Sequence, residues 1–326
     1  MGDRRQFLGL GLAAAGSMAF ASTCAARTAA AASLTLVPLT GRLSLVQGGA
    51  ANIVVASAGN ELLLVDGGAA ADAKALQALL AKHYPGQKLR AVFNTHWHVA
   101  QSGFNATARK QGVDVIAHEN TRLWLSTEVN SRWEKTVYKP QPAAVLPNRT
   151  FVYDLQTLDF GGTRVQYAHV DPAHTDGDIY VRFPEENVIV MGDLLAPGRY
   201  PLVDTASNGY LGGFIAAQRS IAALCDAQTR LVPGTGEVSA LPVLQQQQEM
   251  ITSVLTRMSD NYRKGGTFNE FLASKPTRDF DARYGDPAQF LKLSYDSAWY
   301  QANPMGGLAA APPPAPRPPA APRAAQ

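Results

Sequence analysis

The stretch "NTHWHVAQSGFN", residues 94–105, carries two side chains that could bind a metal ion. His96 and His98 alternate across a tryptophan, directly after the apolar run "LRAVF". Side chains at i and i+2 share a face where a strand gives way to a loop, so both imidazoles can turn toward one ion. Ala100 and Gln101 follow, and a methyl group and a neutral amide are poor metal ligands. A His-x-His pair alone is more often structural than metal-binding, so other parts of the chain must decide.

The elements that position this pair follow from the pattern of apolar residues. Residues 34–68 predict successive strands, with a hairpin turn at Gly59 and Asn60. The rest of the first half predicts a helix over 70–86, a strand at 89–95, a helix over 102–112, a strand at 113–118 and a helix over 119–129.

The second half of the chain repeats this alternation. Residues 151–170 predict a long hairpin, and residues 241–298 are mostly helical in pattern. Between them lie predicted strands at 178–184 and 187–193, a helix over 212–226, and a strand and turn at 229–236. Two β-rich halves that each carry helices favour sheets packed face to face with helices outside.

Four motifs, in order along the chain, carry a resemblance to a known family. They are "LLLVDGG" at 62–68, the histidine-rich stretch at 94–105, "AHTDGDIYVRFPEENVIVMGDLL" at 173–195 and "LVPGTG" at 231–236. Over roughly residues 35–240 the chain resembles the metallo-β-lactamase fold superfamily. The resemblance implies an α/β (α+β) fold, a four-layer αββα sandwich with a metal site along one edge of its two sheets.

This family pattern is only partly present. The family has His-x-His-x-Asp-His in the first loop and Pro-Gly-His-Gly in the closing motif. The resemblance assigns metal-ligand positions to His96, His98, His174 and Asp193. The ligands expected for a second metal are replaced by Ala100, Gln101 and Thr235. In the family three histidines bind the first metal and the later aspartate bridges both, so the resemblance implies one intact half-site and one degenerate half-site.

The retained residues predict a site for one Zn²⁺ ion. Three imidazoles and a water complete a tetrahedral zinc site with an open catalytic position. Zinc lowers the pKa of bound water from about 15.7 to roughly 7, so hydroxide becomes available at neutral pH. Asp193 is the candidate catalytic residue, because it could hold that water or take a proton from it. A methyl group at Ala100 cannot orient the water, so we expect metal affinity and turnover to be reduced.

Other histidines and the tryptophans leave alternatives open. His118 and His169 end predicted strands near the same edge and match no metal-binding position, so we interpret them as pocket lining or as satisfied polar groups. Trp97, Trp124 and Trp133 could line the pocket, although core packing is the default for such side chains.

The N-terminal residues 1–32 are typical of a twin-arginine signal peptide. Arg4 and Arg5 precede an apolar run, Phe7–Ala21, that is too short for a permanent membrane span. We therefore expect a bacterial periplasmic protein with no integral membrane span after cleavage. Lipid attachment at Cys24 stays an alternative, although "AST" before it is a poor recognition sequence.

Composition limits the remaining organisation and the partners. Of the 326 residues, 46% are hydrophobic, which suffices for one large core. We expect the sandwich domain at 33–240, a helical C-terminal extension packed on it at 241–300, and a disordered Ala/Pro-rich tail at 301–326. Net charge is +3 with no basic cluster, so a nucleic-acid partner is not expected. Cys225 would be the only cysteine after cleavage, which excludes an intramolecular disulfide.

Two classes of function remain. The first is an exported metal-dependent hydrolase that acts on a small-molecule ester, lactone, thioester or amide. The second is a catalytically impaired relative that binds a small molecule or a protein partner without turnover. True β-lactamase activity is a third and weaker interpretation, because membership of a fold says little about substrate. The sequence does not predict an oligomeric state.

Overall fold

The computed structural model describes residues 34–302 of the chain. The predicted signal peptide and nearly all of the predicted tail lie outside these residues, so both stay predictions. Within the described part of the chain, no helix has the length and apolar character needed to cross a membrane.

Within residues 34–302 the first sheet has seven strands, whose spatial order follows the chain except at its last strand, Arg149–Phe151, here named β9 because two strands of a separate hairpin precede it. Its first six strands, β1 to β6, are Thr35–Pro38, Leu43–Gln47, Ile53–Ala58, Glu61–Val65, Lys88–Phe93 and Asp114–His118. The pairs from β1 to β4 are antiparallel, whereas β5, β6 and β9 continue the sheet in parallel. The predicted hairpin turn at Gly59 and Asn60 is confirmed, since Ala58 pairs with Glu61.

The second sheet has five strands in sequential order, and a two-stranded hairpin stands apart from both sheets. The five strands are β10 (Gln156–Phe160), β11 (Thr163–His169), β12 (Ile179–Phe183), β13 (Val188–Gly192) and β14 (Arg230–Pro233). The separate hairpin consists of β7 (Val129–Ser131) and β8 (Thr136–Tyr138).

Helices flank the sheets and fill the C-terminal part of the described chain. They are α1 (Ala73–His83), α2 (Val99–Ser102), α3 (Asn105–Lys110), α4 (Glu119–Ser126), α5 (Leu211–Ala222), α6 (Leu241–Arg263), α7 (Phe268–Ala273), α8 (Asp281–Tyr284) and α9 (Ala288–Ala302).

Alternation along the strands builds the layers. In β3, Val54 faces the second sheet and packs in one cluster with Val165 and Val181, whereas the neighbouring Val55 faces the opposite way and packs with Leu76 of α1. Successive strand residues point to opposite faces, so a strand that is apolar at every position can serve two interfaces. Each buried valine or leucine contributes roughly 1.5–3 kcal/mol to folding.

The outer face of the second sheet is covered by the later helices. Ile189 of β13 lies in one buried cluster with Phe214 of α5 and with Met250 and Val254 of α6. The order of layers is therefore helix, seven-stranded sheet, five-stranded sheet, helix. This confirms the predicted αββα sandwich and the helical C-terminal region.

Two local predictions differ from the structure. Residues 151–170 were expected to form one hairpin, but Phe151 pairs in parallel with His118 and closes the first sheet. The hairpin itself is formed by β10 and β11 only. The helix expected over 102–112 is interrupted, because α2 ends at Ser102 and α3 starts at Asn105.

Candidate metal centre

Three loops bring the candidate residues to one edge of the sandwich. His96 and His98 follow β5, and His98 directly precedes α2. His174 lies on the loop between β11 and β12, and Asp193 directly follows β13. A backbone hydrogen bond from the Ile179 amide to the Thr95 carbonyl, 2.9 Å long, ties the first two loops together across the two sheets.

The four predicted side chains form one compact cluster. One nitrogen or oxygen atom from each of His96, His98, His174 and Asp193 lies within 4.8 Å of the corresponding atoms of the others. His98 Nδ1 is 3.1 Å from His174 Nε2. Asp193 Oδ2 is 3.9 Å from His96 Nε2 and 3.7 Å from His174 Nε2. This spacing leaves a small volume into which three nitrogens and a carboxylate converge.

Each imidazole is held at the nitrogen that faces away from this volume. His96 Nδ1 is 3.1 Å from the Thr95 hydroxyl, and His174 Nδ1 is 2.9 Å from the Leu202 carbonyl. His98 Nε2 is 3.0 Å from a carboxylate oxygen of Asp204. A proton on each of these outer nitrogens leaves the inner nitrogen with a free lone pair, which is the form that a metal requires.

A buried aspartate supports the first of these contacts. The Thr95 hydroxyl lies 2.8 Å from Asp66 Oδ2, and the Thr95 amide donates to Asp66 Oδ1 at 2.8 Å. The pKa of Asp66 is raised to about 8. Burial is the main cause; the hydrogen bonds from Thr95 partly oppose this increase, and the nearby Asp193 carboxylate adds to it. Burial, with the neighbouring His174 and His98, lowers the pKa of His96 well below its usual value. His96 is therefore neutral at pH 7.

Unpartnered polar atoms test whether a cation fits this volume. His96 Nε2 and Asp193 Oδ1 are buried and have no hydrogen-bond partner within the described chain. A buried polar atom without a partner costs roughly 1–3 kcal/mol, so such atoms are suited to bind a water or an ion. Three neutral imidazoles and one carboxylate are suitable ligands for zinc. The donor set therefore fits a divalent cation.

The degenerate half-site is polar but uncharged. Gln101 is 2% exposed, and its Oε1 has no partner in the described residues; the same holds for Thr235 Oγ1. Ala100 is half-buried and adds no polar side-chain atom. Gly234 packs against Asp193 so closely that a Cβ there would lie 2.1 Å from Asp193 Oδ1. A larger residue at this glycine would push the carboxylate out of place.

The remaining histidines form a pair of their own. The rings of His118 and His169 stack at 3.8 Å. His118 Nε2 lies 3.2 Å from the Val152 carbonyl and its Nδ1 accepts from the Asn120 amide, while His169 Nδ1 lies 3.0 Å from the Asp178 carbonyl. Burial lowers the pKa of His118 to about 4 and also lowers that of His169. These contacts favour satisfied polar groups over pocket lining.

The tryptophans divide between core and site. Trp97 is 2% exposed and belongs to a small buried cluster, which agrees with the core alternative. The Trp133 indole, on the turn between β7 and β8, donates to Asp204 Oδ1 at 3.2 Å. The Trp124 indole donates to Asp176 Oδ1 at 2.6 Å. Trp133 is therefore linked to the centre through Asp204.

Four supporting residues were not identified as site residues from the sequence. Asp66 was part of a family motif, but its partner Thr95 carried no signal beyond its place before His96. Leu202 acts through its backbone, which sequence does not show. Asp204 lies in a loop, "PLVDTASNG", where an aspartate predicts only a turn.

Comparisons with known proteins agree with this architecture. A sequence model of the metallo-beta-lactamase superfamily matches residues 46–235. Among solved structures, a metallo-beta-lactamase from Pontibacter korlensis matches with a TM-score of 0.56 and 17% identity, over 67% of this chain and 99% of that one. The DIM-1 metallo-beta-lactamase matches with a TM-score of 0.55 and 16% identity, over 67% and 97%. At these identities the likeness to the solved structures shows the fold alone.

A curated protein also matches part of the chain in sequence. The 2,4-dinitroanisole O-demethylase subunit alpha of Nocardioides sp. (strain JS1661) is 23% identical over 167 residues. This match covers 51% of the chain and 48% of the relative, so it spans about half the length of that protein.

Proposed function

Because the chain belongs to the metallo-beta-lactamase superfamily, we propose that it is a hydrolase working with one zinc ion held by His96, His98 and His174. The observation that carries this proposal is the shared orientation of the three imidazoles. Each is anchored at its outer nitrogen, and each turns its inner nitrogen toward the same volume. Such anchoring of the outer nitrogen is what fixes metal-binding histidines in proteins.

Asp193 is the residue we propose to act on the nucleophile. When bound in a three-histidine site, zinc acts as a Lewis acid and makes water a nucleophile near neutral pH. Asp193 Oδ1 is buried and has no hydrogen-bond partner among residues 34–302, while Oδ2 faces two of the imidazoles. We propose that this carboxylate holds the attacking water by a hydrogen bond and accepts its proton.

The residues of the degenerate half-site favour a protein that binds one ion in total rather than two. Gln101 and Thr235 present an amide and a hydroxyl, which bind zinc weakly, and Ala100 presents no ligand. A second ion would otherwise help to clamp the nucleophile and the substrate oxygen. We therefore propose a slower enzyme than a two-metal relative would be.

The substrate is proposed only by class, as a small ester, lactone, thioester or amide. The name of the O-demethylase relative adds an aryl methyl ether to the compounds worth testing. The periplasmic address and the twin-arginine route remain proposals that rest on residues 1–32. The replaced ligands at Ala100, Gln101 and Thr235 favour one alternative, a binding protein that has lost turnover.

Zinc stoichiometry tests the proposal. The full chain is loaded with excess zinc, freed of loose metal by gel filtration and subjected to elemental analysis. We expect about one zinc per chain, near zero for His174→Ala, and one for the control His83→Ala, because His83 is exposed at the end of α1. Two tightly held ions per chain would contradict the single-ion site, and none would contradict the metal centre itself.

Turnover separates the enzyme from the binding protein. The zinc-loaded chain is assayed with a nitrophenyl ester, a lactone, a thioester, a nitroanisole and a β-lactam. We expect hydrolysis of at least one compound that is abolished in His174→Ala and retained in His83→Ala. One bound zinc without any turnover would favour the binding protein.

A further inference from the structure

Residues 201–209, in the loop between β13 and α5, hold two of the three imidazoles at the nitrogens that face away from the metal centre. The Leu202 carbonyl holds His174, and the Asp204 carboxylate holds His98. The Asp204 amide also donates to the His174 carbonyl at 2.9 Å. Gly209 lets the loop come this close, because a Cβ there would lie 2.3 Å from that same carbonyl. One loop therefore contacts two of the three imidazole-bearing residues.

Hydrogen bonds hold both carboxylate oxygens of Asp204. It is 1% exposed, and its Oδ2 lies 3.0 Å from His98 Nε2 and accepts from the Ser207 hydroxyl at 2.6 Å. Its Oδ1 accepts from the Trp133 indole at 3.2 Å and from the Ala206 amide at 3.1 Å. A carboxylate fixed by three donors besides His98 cannot rotate away from the imidazole.

We propose that Asp204 is a positioning residue, which fixes His98 with its proton on Nε2 so that Nδ1 points into the metal centre, and that Trp133 holds Asp204 in place. This inference rests on the proposed function, since it assigns His98 as a ligand. It adds a residue that acts through His98 rather than by binding the metal itself.

Physical reasons single out His98 among the three imidazoles. Its side chain is 15% exposed, against 1% for His96 and 0% for His174, so packing restrains it least. A neutral imidazole carries its proton on either nitrogen, and a carboxylate beside Nε2 favours the proton there. The outer nitrogen of His96 contacts a hydroxyl, and that of His174 contacts a carbonyl. Among the three imidazoles, only the outer nitrogen of His98 contacts a carboxylate.

Trp133 extends this support to the β7–β8 hairpin. Its indole is the donor that the hairpin contributes to Asp204, so the position of the hairpin is linked to the position of His98. A second pair, Trp124 and Asp176, also forms a hydrogen bond from an indole to a carboxylate, 2.6 Å long. Asp176 accepts from Trp124 and Asn208 rather than from a histidine of the centre. This pair is a matched control within the same protein.

Zinc affinity gives the first measurement, by competition with a chromogenic chelator on the full chain. We expect Asp204→Ala to weaken zinc binding by about 10–100-fold, as loss of a histidine's outer partner does. Asp204→Asn keeps the shape and an acceptor oxygen and should lose less, and Trp133→Phe should also weaken binding. Asp176→Asn and Trp124→Phe should bind zinc like the wild type. Equal losses in both pairs would overturn the proposal, because the effect would then be a general one on folding.

The tautomer of His98 gives a second measurement that needs no metal. The chain has six histidines, so ¹⁵N-histidine labelling with long-range proton–nitrogen spectra can resolve each ring. In metal-free wild type at pH 8 we expect His98 to carry its proton on Nε2, and Asp204→Ala, which removes the acceptor, to shift it toward Nδ1. An unchanged tautomer in Asp204→Ala would overturn the positioning role, even if zinc affinity fell. If the wild type bound no zinc, the proposed function would fail while this measurement still decided the role of Asp204.

Discussion

Replacing Thr95 with valine would remove the hydroxyl that joins Asp66 to His96 while keeping nearly the same volume. The hydroxyl is 2.8 Å from Asp66 Oδ2 and 3.1 Å from His96 Nδ1, and both partners are 1% exposed. The backbone amide of residue 95 would still donate to Asp66 Oδ1. The substitution therefore leaves two buried polar atoms without their hydroxyl partner and disturbs little else.

The expected loss follows from these contacts. Each buried polar group that loses its partner costs about 1–3 kcal/mol, and the extra buried methyl returns roughly 0.8 kcal/mol. We therefore expect Thr95→Val to lower the free energy of unfolding by about 1–5 kcal/mol, with ~3 kcal/mol as the central value. For a domain of this size that is a fall in Tm on the order of 5–10 °C. Zinc affinity should fall as well, because His96 loses the contact that fixes its tautomer.

Thr163→Val provides the control. The Thr163 hydroxyl donates to the Phe160 carbonyl at 2.8 Å at the start of β11, the opposite end of that strand from the loop that carries His174. Losing one such half-buried bond should cost about 1 kcal/mol. Urea unfolding followed by tryptophan fluorescence measures both variants, and chelator competition measures their zinc affinity. If Thr95→Val matches Thr163→Val in both measurements, the Asp66–Thr95–His96 chain contributes nothing specific and the reasoning is wrong.

Three further outcomes are expected. The triple variant Ala100→Asp, Gln101→His and Thr235→His should raise zinc content from one to two per chain and increase hydrolysis; uptake of a second ion with no gain on any substrate would favour the binding protein. The folded-state pKa of His118, about 4, lies below its unfolded value of 6.5. Its contribution to stability is therefore complete above pH 6.5 and is lost as the pH falls toward 4. In urea unfolding, the free energy of unfolding of His118→Gln should fall less steeply than that of the wild type between pH 6.5 and pH 4. An equal fall in both proteins would contradict this role of His118. Changing both arginines of residues 4–5 to lysine should leave unprocessed protein in the cytoplasm, whereas normal periplasmic accumulation would refute the twin-arginine assignment.

The fold was predictable from sequence where local pattern and tertiary environment agree. In β3 and β4 nearly every residue is apolar, and Gly59 with Asn60 separates them, so the hairpin could be read directly. The helical face of α6 was predictable for the same reason, since Leu244, Ile251 and Val254 recur at helical spacing and are buried. Local preference and burial lead to one answer in these segments.

Prediction failed where pairing depends on distant residues. No local feature of the sequence indicates that Phe151 pairs with His118 of the first sheet rather than beginning the hairpin of the second sheet. The β7–β8 hairpin is short, and only three residue pairs join its strands. Its place is set instead by contacts such as Trp133 with Asp204, which are 71 residues apart. Such contacts exist only once the fold has formed.

The candidate centre divides in the same way. The spacing of His96 and His98 is local and was visible in the sequence, whereas His174 needed the family resemblance because it lies 76 residues beyond His98. The outer contacts came from the structure alone. Leu202 uses a backbone carbonyl, and Asp204 acts from a loop whose sequence predicts only a turn.

The free-energy cost of burying polar and ionisable groups differs between the two half-sites of the centre, and this difference bears on function. The three-imidazole side buries Asp66, Asp204 and two histidines almost completely, and the pKa of Asp66 is raised as a result. Burying ionisable groups destabilises a fold unless they are paired, and strongly perturbed groups gather at functional sites. On the other side, Gln101 and Thr235 each have a polar atom without a partner in the described part of the chain, but they bury no charge. A sandwich that only needed to pack could place apolar side chains at all of these positions. The free-energy cost is concentrated on the side that could hold one ion, which is where the chemistry is expected.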